Sequence, residues 1–531
     1  MGGQSFVGGV FILAFSNLMV KILGSIFRIP LGNLIDSDGL GYYQTAYPIY
    51  NFLLAISTTG IPVAISKMVA ERTELGDYKG AGKVFKISFA MLSVMGILSW
   101  VIFFFGSEAI AAAFNNEKAV LSIRALSIAL LVVPVVSAFK GYFQGRSDML
   151  PTSLTQFFEQ LARVAVGLYL AVKFLPKGKE VAAAGASFGA SAGGIVSLIF
   201  IAGLYFARLP MIQRQERRTE NSANESAGII IKQMLMIALP IIIGSLVTPM
   251  MNMIDAALVK RRLMDAGFSE LDALSLFGRY SGMVATVINL PMALTASISM
   301  SIVPAVSQAY ITRNMKALRS KIVLGTRLSN LIAMPCMVGL MVLPRQVMQL
   351  LYPKEPDSIG EILFVMAFSV AVSGLLQTYT AVLQALGKPG VPVINLFLAS
   401  LFKIIITYVS VAIPVINVKG AAAGTVVTYF AAAVLNYRYI KRMTKINIKK
   451  NISFIKPAFM SIVMGIFVKL SYGLFALIIS SDRIRTILAI FVGVLVYVCQ
   501  LLYMGGIHRK ELESSSLGRK ISKLVYRKTN R

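Results

Sequence analysis

An all-helical bundle of about fourteen membrane-spanning segments is the fold this sequence predicts, and three observations predict it. Hydrophobic residues make up 56% of the 531 positions and charged residues only 14%, against roughly 25% charged in a soluble domain. Mean hydropathy is +0.73, yet the chain carries 52 Lys+Arg against 23 Asp+Glu, a formal charge of +29. The greasy and basic residues are kept apart along the chain, as in a polytopic membrane protein whose positive charges lie in loops on one side. Nucleic acid is excluded as a partner, because no stretch is polar enough to build a soluble basic face.

Taken in order, the apolar spans run 6–29, 42–69, 84–106, 119–142, 152–175, 181–207, 231–256, 280–308, 320–343, 359–386, 391–413, 419–440, 452–479 and 484–504. Each approaches the roughly 20 residues that a helix needs to cross the hydrocarbon core. They are far longer than the strands of about 10 residues in a membrane β-barrel. The first run exceeds a signal peptide's core and no small-residue cleavage site follows, so it reads as a retained span. Cys336 and Cys499 sit inside apolar runs and read as buried thiols. His508, the single histidine, lies in the basic tail and cannot hold a metal alone.

Lys and Arg set the orientation. With the N-terminus cytoplasmic, about 32 basic residues fall inside and about 13 outside, which favours both termini in the cytoplasm. The outside loops at 173–179 and 260–262 argue the other way.

An internal repeat organises the spans. FQGRSDMLPTSLTQFFEQLAR (143–163) is echoed by LQALGKPGVPVINLFLASLFK (383–403), and in both a basic residue lies 19 positions after a Gln. AAAG recurs at 182–185 and 421–424, and GIPVAIS (60–66) is echoed more weakly by LPMALTAS (290–297). The sequence thus divides into an N-lobe, 1–207, a cytoplasmic linker, 208–230, and a C-lobe, 231–445. Two more spans occupy 446–506, and 507–531 form a basic cytoplasmic tail. Six helices per copy keep both copies in one orientation, with a pseudo-two-fold axis along the membrane normal and substrate held between lobes.

An ionisable side chain at the bilayer centre costs about 2.5–3.5 kcal/mol, so each needs a partner or a function. Those within spans are Lys21, Arg28, Lys67, Arg124, Glu159, Arg163, Asp255, Lys403 and Lys469. Arg28, Lys67 and Arg124 lie near span ends, where snorkelling to the interface is the structural alternative. Glu159 and Arg163 stand at i,i+4 and can pair within their helix. Lys21 and Arg28, seven apart, share one face of the first span. The surplus of cations suits an anionic substrate, a diphosphate above all, since Lys offers point charges and Arg a bidentate fork.

Other chemistry is missing. GDYKGAGKV (76–84) has five residues rather than four between the glycines of a Walker A loop, and Val84 where Ser or Thr belongs. No HExxH, GxSxG or Cys/His cluster appears. Asp36 with Asp38, and Glu355 with Asp357, are the carboxylates that a membrane glycosyltransferase or polymerase would use, and neither pair has a basic or histidine partner motif. The expectation is a transporter without catalytic residues, metal or resident cofactor.

VKILGSIFRIPLGNLI (20–35), YPIYNFLLAISTTGIPVAISKMVAE (47–71), FKGYFQGRSDMLPTSLTQFFEQLARV (139–164), LVTPMMNMIDAALVKRRL (246–263) and LPMALTASISMSIVPAVSQAY (290–310) resemble the polysaccharide-exporter branch of the MOP superfamily. The likeness is to its stage V sporulation protein B-like and MurJ-like members, and it covers nearly the whole chain. The resemblance implies a flippase for undecaprenyl-diphosphate-linked cell-wall precursors, lipid II or a related saccharide, in a bacterial plasma membrane. Lys21 and Arg28 then correspond to basic residues that hold the substrate diphosphate, with Lys67, Arg124, Glu159, Arg163 and Lys403 as further substrate-site candidates. The double arginine that Gram-negative members carry in span 2 is absent here. The resemblance also implies coupling to Na+ or H+ through Asp255 and Asn395, with Lys403 nearby counting against sodium, and cell-wall synthesis proteins as partners. A cation-coupled multidrug exporter of the same superfamily is the alternative, and it would call for carboxylates in the cavity.

Overall fold

The computed structural model describes the backbone of residues 6–217, 219, 225–448 and 451–503, and the side chains within them except those of 6–18, 21 and 22. Regular structure among the described residues is wholly helical. That follows from the medium, since hydrocarbon offers no partner to a free N–H or C=O.

The helices in the first half are α1 (Phe6–Thr58), α2 (Gly60–Glu74), α3 (Tyr78–Phe105), short α4 (Ser107–Ala113), α5 (Val120–Gly145), α6 (Leu150–Phe174) and α7 (Lys179–Arg217). Then follow α8 (Ala227–Asp265), α9 (Glu270–Phe277), a π-helical turn (Gly278–Val284), α10 (Ala285–Ile311), α11 (Met315–Val342) and short α12 (Pro344–Leu351). The last are α13 (Ile359–Ala385), α14 (Gly390–Ser410), α15 (Lys419–Thr444), α16 (Lys456–Ala476) and α17 (Asp482–Tyr503). Among the described residues, twelve stretches are long and apolar enough to cross a membrane. Two differences explain the fourteen spans read from sequence. The first two fall in one continuous stretch formed by α1 with α2, parted by a kink at Asp36 (φ 58°). α6 has the length to span, but Glu159, Arg163 and Lys173 lower its hydropathy.

The repeat is written into the backbone. Helix starts recur at matching intervals: α3 and α11 at 78 and 315, α4 and α12 at 107 and 344, α6 and α14 at 150 and 390, α7 and α15 at 179 and 419. Eight of the ten left-handed residues among the described residues recur in step, as Asp36 with Gly267, Gly76 with Arg313, Ser147 with Gly387, and Gly178 with Asn417. Such positions break a right-handed helix at a defined residue, so their register records the duplication where the side chains no longer do. The cap at the start of α3, Asp77 accepting from Gly80 N, recurs at α11 as Asn314 accepting from Ala317 N.

By packing, the described residues up to Leu290 together with Val393–Gly424 form one compact unit, and Pro291–Pro392 with the described residues from Thr425 form another. This grouping follows contacts rather than copies, because α8 and α9 pack among the N-terminal elements. The chain passes from one unit to the other at Leu290/Pro291, Pro392/Val393 and Gly424/Thr425, each crossing beside a helix-weakening residue. In the first unit Phe85, Phe139, Tyr142 and Tyr205 form an aromatic cluster with centroids 4.9–5.9 Å apart. In the second, side chains tie helices through backbone carbonyls, as Asn330 Nδ2 donating to Ser453 O (2.7 Å) and Tyr497 OH to Leu331 O (2.7 Å). Cys499 is exposed, not buried as its apolar run suggests. Lys469 is exposed as well, so its mid-span position marks an outward face of α16.

Candidate functional site: a cationic cluster on α1, α5 and α6

Helix α6 is held close to α7 by a seam of small residues. Gly185, Gly189 and Gly193 of α7 recur every four positions and so share one face. A Cβ on Gly189 would sit 2.6 Å from Arg163 O and 2.7 Å from Gly167 Cα, and one on Gly193 2.6 Å from Glu159 O. The seam therefore fixes the backbone of the two residues whose side chains make the site. Across α6, Phe27 of α1 meets Gly167.

Glu159 is the hub. Its Oε1 accepts from Arg163 Nη2 (3.2 Å), as the i,i+4 spacing predicts, and its Oε2 accepts from Lys140 Nζ on α5 (3.2 Å). Arg163 Nη1 donates to the Tyr47 hydroxyl (3.4 Å). Tyr43, Tyr47 and Tyr50 line one side of α1, with ring centroids 4.7 and 5.5 Å apart. Arg28 and Arg163 both lie within electrostatic reach of Tyr43. Two cations, Lys140 and Arg163, thus meet one carboxylate, and Arg28 adds a third positive charge near Tyr43. Two donors, Arg163 Nε and the Tyr50 hydroxyl, are buried with no protein partner. Buried donors left over in a low-dielectric, net-positive cluster are what a phosphate oxygen would satisfy.

The other candidates lie apart from this cluster. Lys67 is exposed and 3.7 Å from Glu71. Arg124 bonds Ser107 and Glu108 beside the Phe104 ring. Lys403 is buried on α14 and donates to Asp255 Oδ2 (2.6 Å), which also accepts from Tyr280 OH (3.0 Å). Asn395 lies earlier on α14. The side chain of Lys21, and His508, fall outside the described residues. The carboxylates considered for transferase chemistry are engaged otherwise: Asp36 and Asp38 pair with Lys179 (2.8 and 2.9 Å), and Asp357 pairs with Arg345.

Sequence reasoning missed Lys140, at the end of its span, because its partner Glu159 is on another helix. It also missed the tyrosines, although Tyr43, Tyr47 and Tyr50 at i, i+4 and i+7 mark a helix face.

Residues 6–310 match the family described as "Polysaccharide biosynthesis protein". The chain belongs to the polysaccharide biosynthesis protein family. Residues 240–409 also match the MatE family. Curated relatives from Bacillus subtilis (strain 168) include "Uncharacterized membrane protein YabM", 28% identical over 98% of this chain and 96% of the relative. "Stage V sporulation protein B" is 26% identical over 85% and 86%, and "Lipid II flippase MurJ" 25% over 97% and 97%. Among solved structures, an inward closed conformation of lipid II flippase MurJ covers 98% of this chain and all of its own (TM-score 0.69, 13% identity). An inward-facing multidrug resistance MATE transporter of the MOP superfamily covers 81% and 98% (TM-score 0.67, 15% identity). This member of the family is therefore a multi-pass membrane protein with the MOP superfamily fold.

Proposed function

We propose that this protein is a flippase that carries an undecaprenyl-diphosphate-linked cell-wall precursor, lipid II or a related saccharide, from the inner to the outer leaflet of a bacterial plasma membrane. Its termini lie in the cytoplasm, and partners in cell-wall synthesis supply and consume the substrate. The observation that carries the reading is the pairing of Lys140 and Arg163 on a single carboxylate beside Arg28 and the tyrosine face, with the Arg163 Nε and Tyr50 hydroxyl donors left unpaired. Arg28 and Arg163, with Lys21 on the same helix as Arg28, would hold the diphosphate, while the lipid tail stays in the bilayer. A neutral saccharide needs no balancing carboxylate, and the cluster supplies none beyond Glu159.

The relatives, flippase and transporters by name, support transport rather than catalysis, and the MatE match keeps a cation-coupled multidrug exporter as the second reading. Against it stand the two in-span carboxylates, Glu159 and Asp255, each bonded to protein cations rather than free for a cationic drug. The deciding experiment reconstitutes the protein in vesicles bearing a fluorescent undecaprenyl-diphosphate saccharide on one leaflet and follows quenching from the other. Losing two charge-assisted contacts worth about 1.5–3 kcal/mol each should slow the Arg28→Ala/Arg163→Ala variant at least tenfold, with membrane insertion intact. Unchanged flipping by that variant, or efflux of a cationic dye in place of flipping, would overturn the proposal.

A further inference from the structure

The resemblance to MOP flippases implies a sodium site to which Asp255 and Asn395 contribute. The residues present do not fit one. An alkali cation takes oxygen ligands, and the strongest, the Asp255 carboxylate, already has the Lys403 ammonium 2.6 Å from Oδ2, with both side chains almost fully buried. A fixed positive charge at that distance in low dielectric repels a second cation.

The internal repeat gives this arrangement its context. Lys403 stands on α14 where Arg163 stands on α6, each 19 residues after the matching Gln384 or Gln144. Arg163 meets Glu159 and the Tyr47 hydroxyl. Lys403 meets Asp255, which the Tyr280 hydroxyl also bonds. Both copies therefore build a cation, a carboxylate and a tyrosine into one cluster. In the second copy the carboxylate comes from a different helix, so the pair joins α14 to α8.

We propose that Lys403 is a tethered resident cation. Its ammonium fills the place at Asp255 that a mobile alkali cation would occupy, so the α8–α14 junction is permanently cation-filled and takes up no sodium. The surrounding oxygens make the idea testable in reverse. Asp255 Oδ1 and Thr407 Oγ1 are buried without a partner, and the Tyr280 hydroxyl lies against both Asp255 and the Ala421 carbonyl. Gly424 of α15 lies against both Lys403 and Thr407, closing the group. Removing the ammonium leaves a buried anion among oxygen donors, which is the donor set for an alkali cation.

The test uses the purified full-length protein in detergent, with NaCl exchanged for choline chloride at constant ionic strength, and it does not depend on the flippase reading. The wild type should bind no radiolabelled sodium and melt at the same temperature in both salts. Lys403→Ala should melt lower in choline and regain about 2 °C or more in sodium, by preferential binding to the folded state. Lys403→Ala/Asp255→Asn should lose that response. If the alanine variant does not fold, Lys403→Met keeps the packing volume and carries the same expectation. Sodium binding by the wild type that Asp255→Asn abolishes would overturn the proposal, as would a folded Lys403 variant blind to sodium.

Discussion

Glu159 bonds two cations at once, and neither Lys140 nor Arg163 pairs with another carboxylate among the described residues. Removing one partner of a buried ion pair costs more than the pair contributes, because the other charge stays desolvated. Glu159→Gln should therefore destabilise the protein by about 2–3 kcal/mol, below the roughly 3–5 kcal/mol of a fully buried pair, since these side chains keep 15%, 16% and 20% exposure. Melting in detergent reads it, and Glu159→Asp should recover part of the loss; a neutral effect of Gln would mean that water already carries these charges. The same residue-scale view accounts for half of the basic residues in the two loops that the orientation rule left over, while Lys173, Lys177 and Arg261 stay exposed. Lys179 pairs with Asp36 and Asp38, Lys260 with Glu270, and Arg262 with Asp265 while stacking 4.1 Å over the Tyr408 ring. Each is spent inside the protein, which the sequence could not reveal, because most of these partners are distant along the chain.

At the scale of elements, position in the membrane was legible and partnership was not. Long apolar runs and turn residues locate nearly every span, because hydrocarbon forces each to be a helix whatever its neighbours. The AAAG repeat was legible as a repeat, but its purpose appears only where α7 meets α6. Likewise Arg163 and Glu159 were readable as an i,i+4 pair, whereas Lys140 needed the packing of α5. The seam also carries a prediction. Gly189→Ala would press a methyl 2.6 Å from Arg163 O and should cost about 1–3 kcal/mol by overpacking. It should also lower flipping by displacing Arg163. Gly203→Ala, on the same helix with nothing within 4 Å of its Cβ, should be neutral or slightly stabilising through helix propensity. Equal effects of the two would deny the seam its role in placing the site.

For the whole molecule, the +29 charge separates into two populations with different work. Most of it lies along the sequence between spans and after the last one, where the positive-inside rule predicts that it sets orientation, while a small remainder lies within spans. The duplication constrains the first population. Both copies begin their third helix just after a left-handed residue, Gly76 or Arg313, and both of those loops are basic, with Arg72, Lys79 and Lys83 in one and Arg313, Lys316 and Arg319 in the other. Copies in the same orientation would put both loops on one face of the membrane, and the rule of positive charge inside predicts that this face is cytoplasmic. In intact cells, with Cys336 and Cys499 replaced by serine, a cysteine at Lys79 or Lys316 should resist a membrane-impermeant maleimide until the cells are permeabilised. One at Lys177 or Ser269 should react at once. Opposite labelling at Lys79 and Lys316 would break the parallel duplication. Reaction of both from outside would invert the topology and, with it, the direction of transport proposed for the cluster on α6.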